Sequence, residues 1–593
     1  MSYQIFTLTL ILQLTLTSAR PAQKKSSGQE PPSALCTREF ALDTINQQIA
    51  VTRTFDNLVQ RISVLIRAAD LLWPYQEKKA RAAFAEAFAL AVQDFKSVGD
   101  EPRRLGKFAM TVVPDQRYRV IAALAKRDGA AASKMTNEML RDEERNFASK
   151  GSDENYLRKT GEKLLDVARN LASTNAQSAT TLAKRSFGFP ATFYLPMFIY
   201  ELAKTNRVTA DEFYEAAVGA YASAPMEQFL YLSSYPFGNT RDAGEMPGYT
   251  IYKVPEGFTP NATLQQLFVR SLLGRLPTLT AGPTLTDPSG RLSDAEQIWL
   301  ALNRLERQIQ QSVPELHDPV QRAKAELSGL LSQSSLGRMS RILSEDNPPR
   351  KSFAELLEAA EKLSDIDRRN QQITSAVTRG AQRESVESVL KALDKITEEN
   401  VRGALLNWFY FFRTQSLVGE NKLQEARALA AKVTELDQRA YLYSRIAEQY
   451  LKSGEDQSQA RELLEEISQA AARAPQTIVT SRALLALAYL YARIDTNRGI
   501  QELSNAVKAI NRLEAPDFSV EFVHMKIEGK TFGSYASFGT PGFNPERAFR
   551  EIGKIDFDGT INQAAGLTEK SLRALTTLAL IEPCLEAASK REF

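Results

Sequence analysis

Histidine and cysteine are almost missing: 593 residues hold two of each, with only three tryptophans. His317 and His524 stand far apart, and no HExxH or CxxC spacing occurs. A His/Cys metal site therefore has little to be made from, and neither a metal nor a cofactor is expected. No GxSxG-type turn presents a serine nucleophile. The two histidines read as ordinary residues, His317 near a helix end and His524 on a strand. An excess of one charge is missing too. Seventy-four Lys and Arg face seventy-one Asp and Glu, for a net charge of +3. Nucleic-acid binders concentrate basic residues on one face, so no nucleic-acid partner is expected. No catalytic residue is singled out. A carboxylate pair for glycoside cleavage needs no sequence signature, and that chemistry stays open.

Long apolar runs are scarce as well. Residues 5–16 are apolar except for Thr7, Thr9, Gln13 and Thr15, and Thr17, Ser18 and Ala19 then offer a small-residue cleavage site. The run is too short to span a bilayer well, and it reads as a signal peptide over 1–19, despite a leading region without Lys or Arg. Residues 20–33, with Lys24, Lys25, Gly28, Pro31 and Pro32, read as a flexible leader. No later run approaches spanning length. The expectation is an exported protein, periplasmic or extracellular, with no stable membrane insertion after signal cleavage. Export would permit a disulfide between Cys36 and Cys584. An extended array keeps its ends apart, however, which favours two separate buried thiols.

What the chain has in quantity is helical periodicity. Its composition, 43% apolar and 24% charged, is that of a globular protein. Its length exceeds what one compact core supports, so several domains or an array are expected. Leu417, Ala426, Leu429 and Val433 recur thirty-four residues later as Leu451, Ala460, Leu463 and Ile467. Ala447, Tyr450 and Leu464 recur thirty-nine residues on as Ala486, Tyr489 and Leu503. Such periods signal stacked helix pairs, each too small to bury its own apolar face. A second copy of the pattern runs from Phe55 through Leu58, Ile62, Leu65 and Ala69 to Trp73-Pro74, answered by Ala80, Ala83, Phe84, Ala87 and Ala91.

Ala68-x2-Leu71, Ala80-x3-Phe84 and Ala87 keep a small–large–small–large–small spacing that resembles tetratricopeptide repeats. The resemblance is best over 404–513, recurs over 55–92 and is loose elsewhere. It implies an all-α, α-solenoid-like array of antiparallel helical hairpins, with one β-hairpin and one irregular insertion. The expected organisation is a helical-hairpin array over 34–232, a Gly/Pro-rich insertion over 233–292 and a middle helical region over 293–400. Repeats over 401–515, a β-hairpin and loop over 516–545, and helices over 546–593 complete it. Thr209 with Glu212, Ser293 with Glu296 and Ser352 with Glu355 read as capping boxes at helix starts. In the insertion, 249–254 reads as a strand and 264–273 as a short helix. Near the end, Phe518, Val520 and Phe522, then Phe532, Ser534, Ala536 and Phe538, alternate with polar residues about a Glu528-Gly529 turn.

Two motifs tempt and fail. Asp556-Phe557-Asp558-Gly559-Thr560 resembles the aspartate loop of haloacid-dehalogenase-like phosphatases, but too few residues follow it for that fold, so a helix cap is expected. Gly529-Lys530-Thr531 resembles the end of a P-loop, yet the glycine required five residues earlier is His524. Asn261-Ala262-Thr263 is a glycosylation sequon in a eukaryotic host only. Aromatics crowd 187–235, where their helical spacing reads as core. The contiguous run from Trp408 to Phe412 covers every side of one helix. That helix is either buried all round or turns an aromatic face, with Trp408, Tyr410 and Phe411, toward a groove.

The expected function is a non-catalytic scaffold outside the cytoplasm, holding a protein or extended peptide; its oligomeric state is not legible. Two alternatives stand beside it. One is a hydrolase of an envelope or extracellular polymer using groove carboxylates. The α-superhelical lytic transglycosylases are an example of that arrangement, although their separate catalytic domain and Glu-Ser motif are not evident here. The other is a structural spacer within an envelope assembly.

Overall fold

The computed structural model describes residues 35–99, 114–147, 154–240, 242–243, 252–279, 292–345, 351–453, 457–514, 516–518 and 522–589. The expected signal peptide and leader lie outside these residues. Among the described residues the fold is all-α, with 26 α-helices and one two-stranded antiparallel sheet.

Local sequence sets the helix ends. Asn57 caps the Leu58–Leu72 helix by accepting from the N–H groups of Val59 and Gln60, and Trp73 stands at its C-terminus. The answering helix, Glu77–Val98, buries Ala80, Ala83, Phe84, Ala87 and Ala91. These alanines let the two backbones approach while Phe84 fills the gap against Trp73, at a ring distance of 6.0 Å. The boxes at Ser293/Glu296 and Ser352/Glu355 are both formed. The one expected at Thr209 is not. Asn206 caps that helix instead, accepting from the Thr209 N–H at 3.0 Å, so the helix begins earlier, at Arg207–Ala220. Asparagine is as good a cap as threonine or better, and it comes first in the chain.

Burial alone would raise the Glu296 carboxyl. The Ser293 N–H and the Arg338 guanidinium more than offset this and hold it below the usual range.

Among the described residues of the insertion, aromatics rather than a sheet hold the backbone in place. Tyr252–Val254, the described part of the expected strand, forms no strand. Tyr252 is instead buried, its hydroxyl 2.6 Å from a carboxylate oxygen of Asp242 and its ring 6.1 Å from Tyr200. Tyr200 donates to the carbonyls of Ser234 and Asn239, and Tyr214 to that of Leu232. Arg207 lies 4.2 Å over Phe258 while pairing with Asp211. Core aromatics thus pin irregular backbone through their hydroxyls, which satisfies carbonyls that no helix or strand accommodates. The short helix there is Ala262–Leu273, capped by Asn261.

Among the described residues three apolar cores result. One gathers residues between 62 and 327, and a second those between 360 and 572. The third joins the two ends of the described chain, packing Ala41, Ile45, Val64 and Leu72 against Leu578, Ile581 and Leu585. Around it, Glu582 pairs with both Arg67 and Arg550, at 2.8 and 2.9 Å. Tyr75 donates to the Leu585 carbonyl, and Lys570 to that of Thr54. Cys36 and Cys584 are disulfide-bonded across this junction, with Cα atoms 5.1 Å apart. Two separate thiols were the reading that suits an extended array. They do not occur because the Arg38–Val51 and Lys570–Ser589 helices are neighbours.

Candidate functional site

The repeat region places three helices side by side: Glu399–Gly419, Leu436–Ser453 and Ile478–Tyr491. Their partners are Leu423–Ala430, Gln457–Arg473 and Thr496–Ile510. The recurring residues fill the seams: Ala426, Val433, Ala447, Ala460, Leu463 and Leu503 are fully buried, and Ala486 nearly so. Ion pairs join the partner helices, Arg427 to Glu462 and Glu466 and Arg498 to Glu465, while Arg498 also pairs with Glu502 on its own helix.

The first helices of the first two pairs carry the β-hairpin, and the third holds the turn that follows it, Pro541–Phe543. Strand β1 is Phe522–Glu528 and strand β2 is Gly533–Gly539, in the register Phe522↔Gly539 to Glu528↔Gly533. Val523, Met525 and Ile527 of β1 are buried, whereas Phe522 is 48% exposed. The inner face of β1 is thus one residue out of step with the expected Phe518/Val520/Phe522 series. A one-residue slip exchanges the two faces of a strand, and contact with the helices decides which face is buried. On β2 the expected set holds, with Ser534, Ala536 and Phe538 facing inward.

Phe538 lies 4.9 Å from Phe411, 5.4 Å from Phe412 and 5.9 Å from Tyr441. Trp408 stacks on Phe412 at 4.8 Å. The sequence-predicted trio is therefore divided. Trp408 and Phe411 are buried in this cluster, and Tyr410 is half-buried, with Lys432 5.4 Å from its ring centre.

A polar group closes the outer edge of β1 at His524. Gln438 donates to the His524 carbonyl at 3.2 Å and accepts from Asn407, which in turn accepts from the Thr434 N–H. Arg482, 7% exposed, lies within the field of Asp437 and Asp517; burial lowers its pKa, and the two carboxylates oppose that. Burial and then Arg482 lower that of His524. The His524 ring sits 2.9 Å from the Ser537 hydroxyl on the exposed face of the hairpin. Among the described residues no carboxylate is hydrogen-bonded to that ring, so the pair lacks the orienting third group of a nucleophilic triad.

Asp437 offers a pH test. Burial raises its carboxyl above the ordinary range, with the Gln438 N–H and Arg482 opposing. The folded chain then holds this proton more tightly than the unfolded chain does. The resulting stability is complete below the ordinary carboxylate range and is lost as pH rises through the raised value. Asp437→Asn should remove that segment of the Tm–pH curve, raising the variant relative to the native protein at neutral pH compared with acid. Parallel curves for the two proteins would refute the assignment.

The free edge of β2 is the other feature. The Gly529 N–H donates to the Phe532 carbonyl at the turn, which makes this a hydrogen-bonded pair. Alternation back along the ladder makes His524↔Ser537 a non-hydrogen-bonded pair, in agreement with the His524 carbonyl reaching out to Gln438. Gly533, Tyr535, Ser537 and Gly539 therefore turn their N–H and C=O groups away from β1. Among the described residues none of these groups has a hydrogen-bond partner, and all four residues are exposed.

The remaining sequence candidates fall elsewhere. Asp556 accepts from the Gly559 N–H at 2.8 Å and caps the Phe557–Ala565 helix, as expected of it. His317 opens the His317–Leu330 helix. A cavity of 410 Å³ lies between Arg169, Met197, Tyr200, Lys204 and Lys253, but Arg169 and Lys204 are already paired with Asp166 and Glu201. Among the described residues no group of three or more His, Cys, Asp or Glu is placed to hold a metal, and no helix is long and apolar enough to cross a membrane. No protein-family model matches the chain, and no curated protein matches it significantly.

Proposed function

We propose that this chain is an exported scaffold of tetratricopeptide-like helical hairpins that binds a protein or extended peptide outside the cytoplasm. The observation that carries this reading is the open edge of β2, in a hairpin whose inner face packs on the Glu399–Gly419 and Leu436–Ser453 helices. Those helices already accept extended polypeptide, since the chain's own hairpin packs on them through Val523, Met525, Ile527 and Phe538. The Cys36–Cys584 bridge supports the location, because disulfides persist in oxidising compartments. The test is selection of displayed short linear peptides against the oxidised protein, followed by binding of the synthetic winner. Convergence on a sequence that binds at micromolar Kd or better is expected. Turnover of a glycan or peptide substrate, with no sequence enriched, would replace this reading by the hydrolase.

A further inference from the structure

We propose that β2 is a docking strand, which pairs along its free edge with an extended segment of a partner protein and so extends the two-stranded sheet to three. This rests on the peptide-binding reading above and specifies its chemistry. The two edges of the hairpin differ. The outer edge of β1 is closed at His524 by Gln438. That of β2 offers four residues, Gly533, Tyr535, Ser537 and Gly539, whose outward donors and acceptors have no partner among the described residues. Such a row, repeating every second residue at about 6.8 Å, is matched by another extended backbone.

The edge is also unguarded. Exposed edge strands are usually protected by charge, proline or a bulge. β2 reads Gly-Ser-Tyr-Ala-Ser-Phe-Gly, with no charge and no proline, and its register runs unbroken. β1, whose edge is closed at His524, carries the charges Lys526 and Glu528 along the rest of it.

The occupant is a single strand rather than a second copy of this chain. A strand needs only about 4.8 Å of room beside β2. A second copy would have to bring its own helices against the helix face on which the hairpin lies. A seven-residue edge contact by itself falls well short of the roughly 1,000 Å² that a stable pair of folded chains buries, but it is of the size on which single extended peptides dock by strand addition. The added strand would present alternate residues to the inner side, beside Ser534, Ala536 and Phe538 of β2. Those positions call for uncharged, apolar side chains. The aromatic cluster of Phe538, Phe412 and Trp408 leaves the Trp408 indole N–H buried without an acceptor among the described residues.

The test uses a synthetic peptide obtained by the selection above, with a single N-methyl group placed at each residue in turn. Pairing with β2 predicts that affinity falls about tenfold or more at every second residue and little at those between, since N-methylation removes a donor and adds bulk on the paired side. Ser537→Pro should weaken the same peptide comparably without disturbing the ladder to β1, because the Ser537 N–H faces outward. Peptide binding that is indifferent to both changes would overturn edge docking while leaving the scaffold reading intact. Failure to select any peptide would overturn both. Concentration-dependent dimerisation abolished by Ser537→Pro would show a second copy on the edge and overturn the occupant. The N-methyl scan needs no protein variant, so it decides even if Ser537→Pro misfolds.

Discussion

Replacing Cys584 by serine is expected to free the last helix, Lys570–Ser589, from the first, at a cost of about 4 kcal/mol. The bridge spans 548 positions, and chain-entropy accounting for a loop of that length gives about 6 kcal/mol, while removal of native disulfides costs about 2–5. The lower figure is preferred because the reduced chain keeps the apolar contacts of the end-joining core and the Arg67–Glu582–Arg550 bridges. Those contacts alone must then close a loop of 548 positions that the bridge had closed covalently. The loss should be local at first, with amide exchange in 570–589 and 38–51 accelerating before the repeat core responds. Non-reducing electrophoresis of the native protein checks the premise directly. Free thiols at both positions, or exchange unchanged in Cys584→Ser, would refute it.

Gly542→Val should cost about 3 kcal/mol and loosen the hairpin. The turn Pro541–Phe543 follows β2 and seats on the Ile478–Tyr491 helix so closely that a Cβ at 542 would stand 2.7 Å from the Ala486 Cα and 3.1 Å from its Cβ. Both neighbours belong to a buried helix, so the turn must move instead. Phe543, 1% exposed, leaves its seat with it. Hydrogen exchange over 522–543 should rise while 399–453 stays protected, and an N-methyl-sensitive peptide should lose affinity in step. A variant as stable as the native protein would show that the turn is not what anchors the hairpin.

The repeat seams were legible because they rest on spacing alone. Ala426, Ala460 and Leu463 are buried wherever helices pair, and Ser293 and Ser352 needed only their own neighbours to cap a helix. The cap at Asn206 was missed although its signal was present, because a better-placed Asx residue preceded the Thr-x-x-Glu pattern. The hairpin was visible as alternation, but β1 alternates on both faces: Phe522, like Val523, is apolar, and only the helices beneath choose between them. The candidate rings Trp408 and Phe411 were seen as a helix with too many aromatic sides. That Phe538, far along the chain, covers them is a tertiary fact.

The sequence by itself determined the helices, their pairing into hairpins, the turn that makes β1 and β2, and the scarcity of metal- and base-forming side chains. These are properties of short-range spacing and of inventory. The tertiary structure decided three things: that the ends of the described residues meet and are bonded, that the hairpin lies on the helices of the repeat region, and that among the described residues a side chain closes β1 at His524 while none reaches the edge of β2. Each depends on which surfaces find one another across hundreds of residues. That choice is made by the sum of many weak contacts, and no local pattern encodes it.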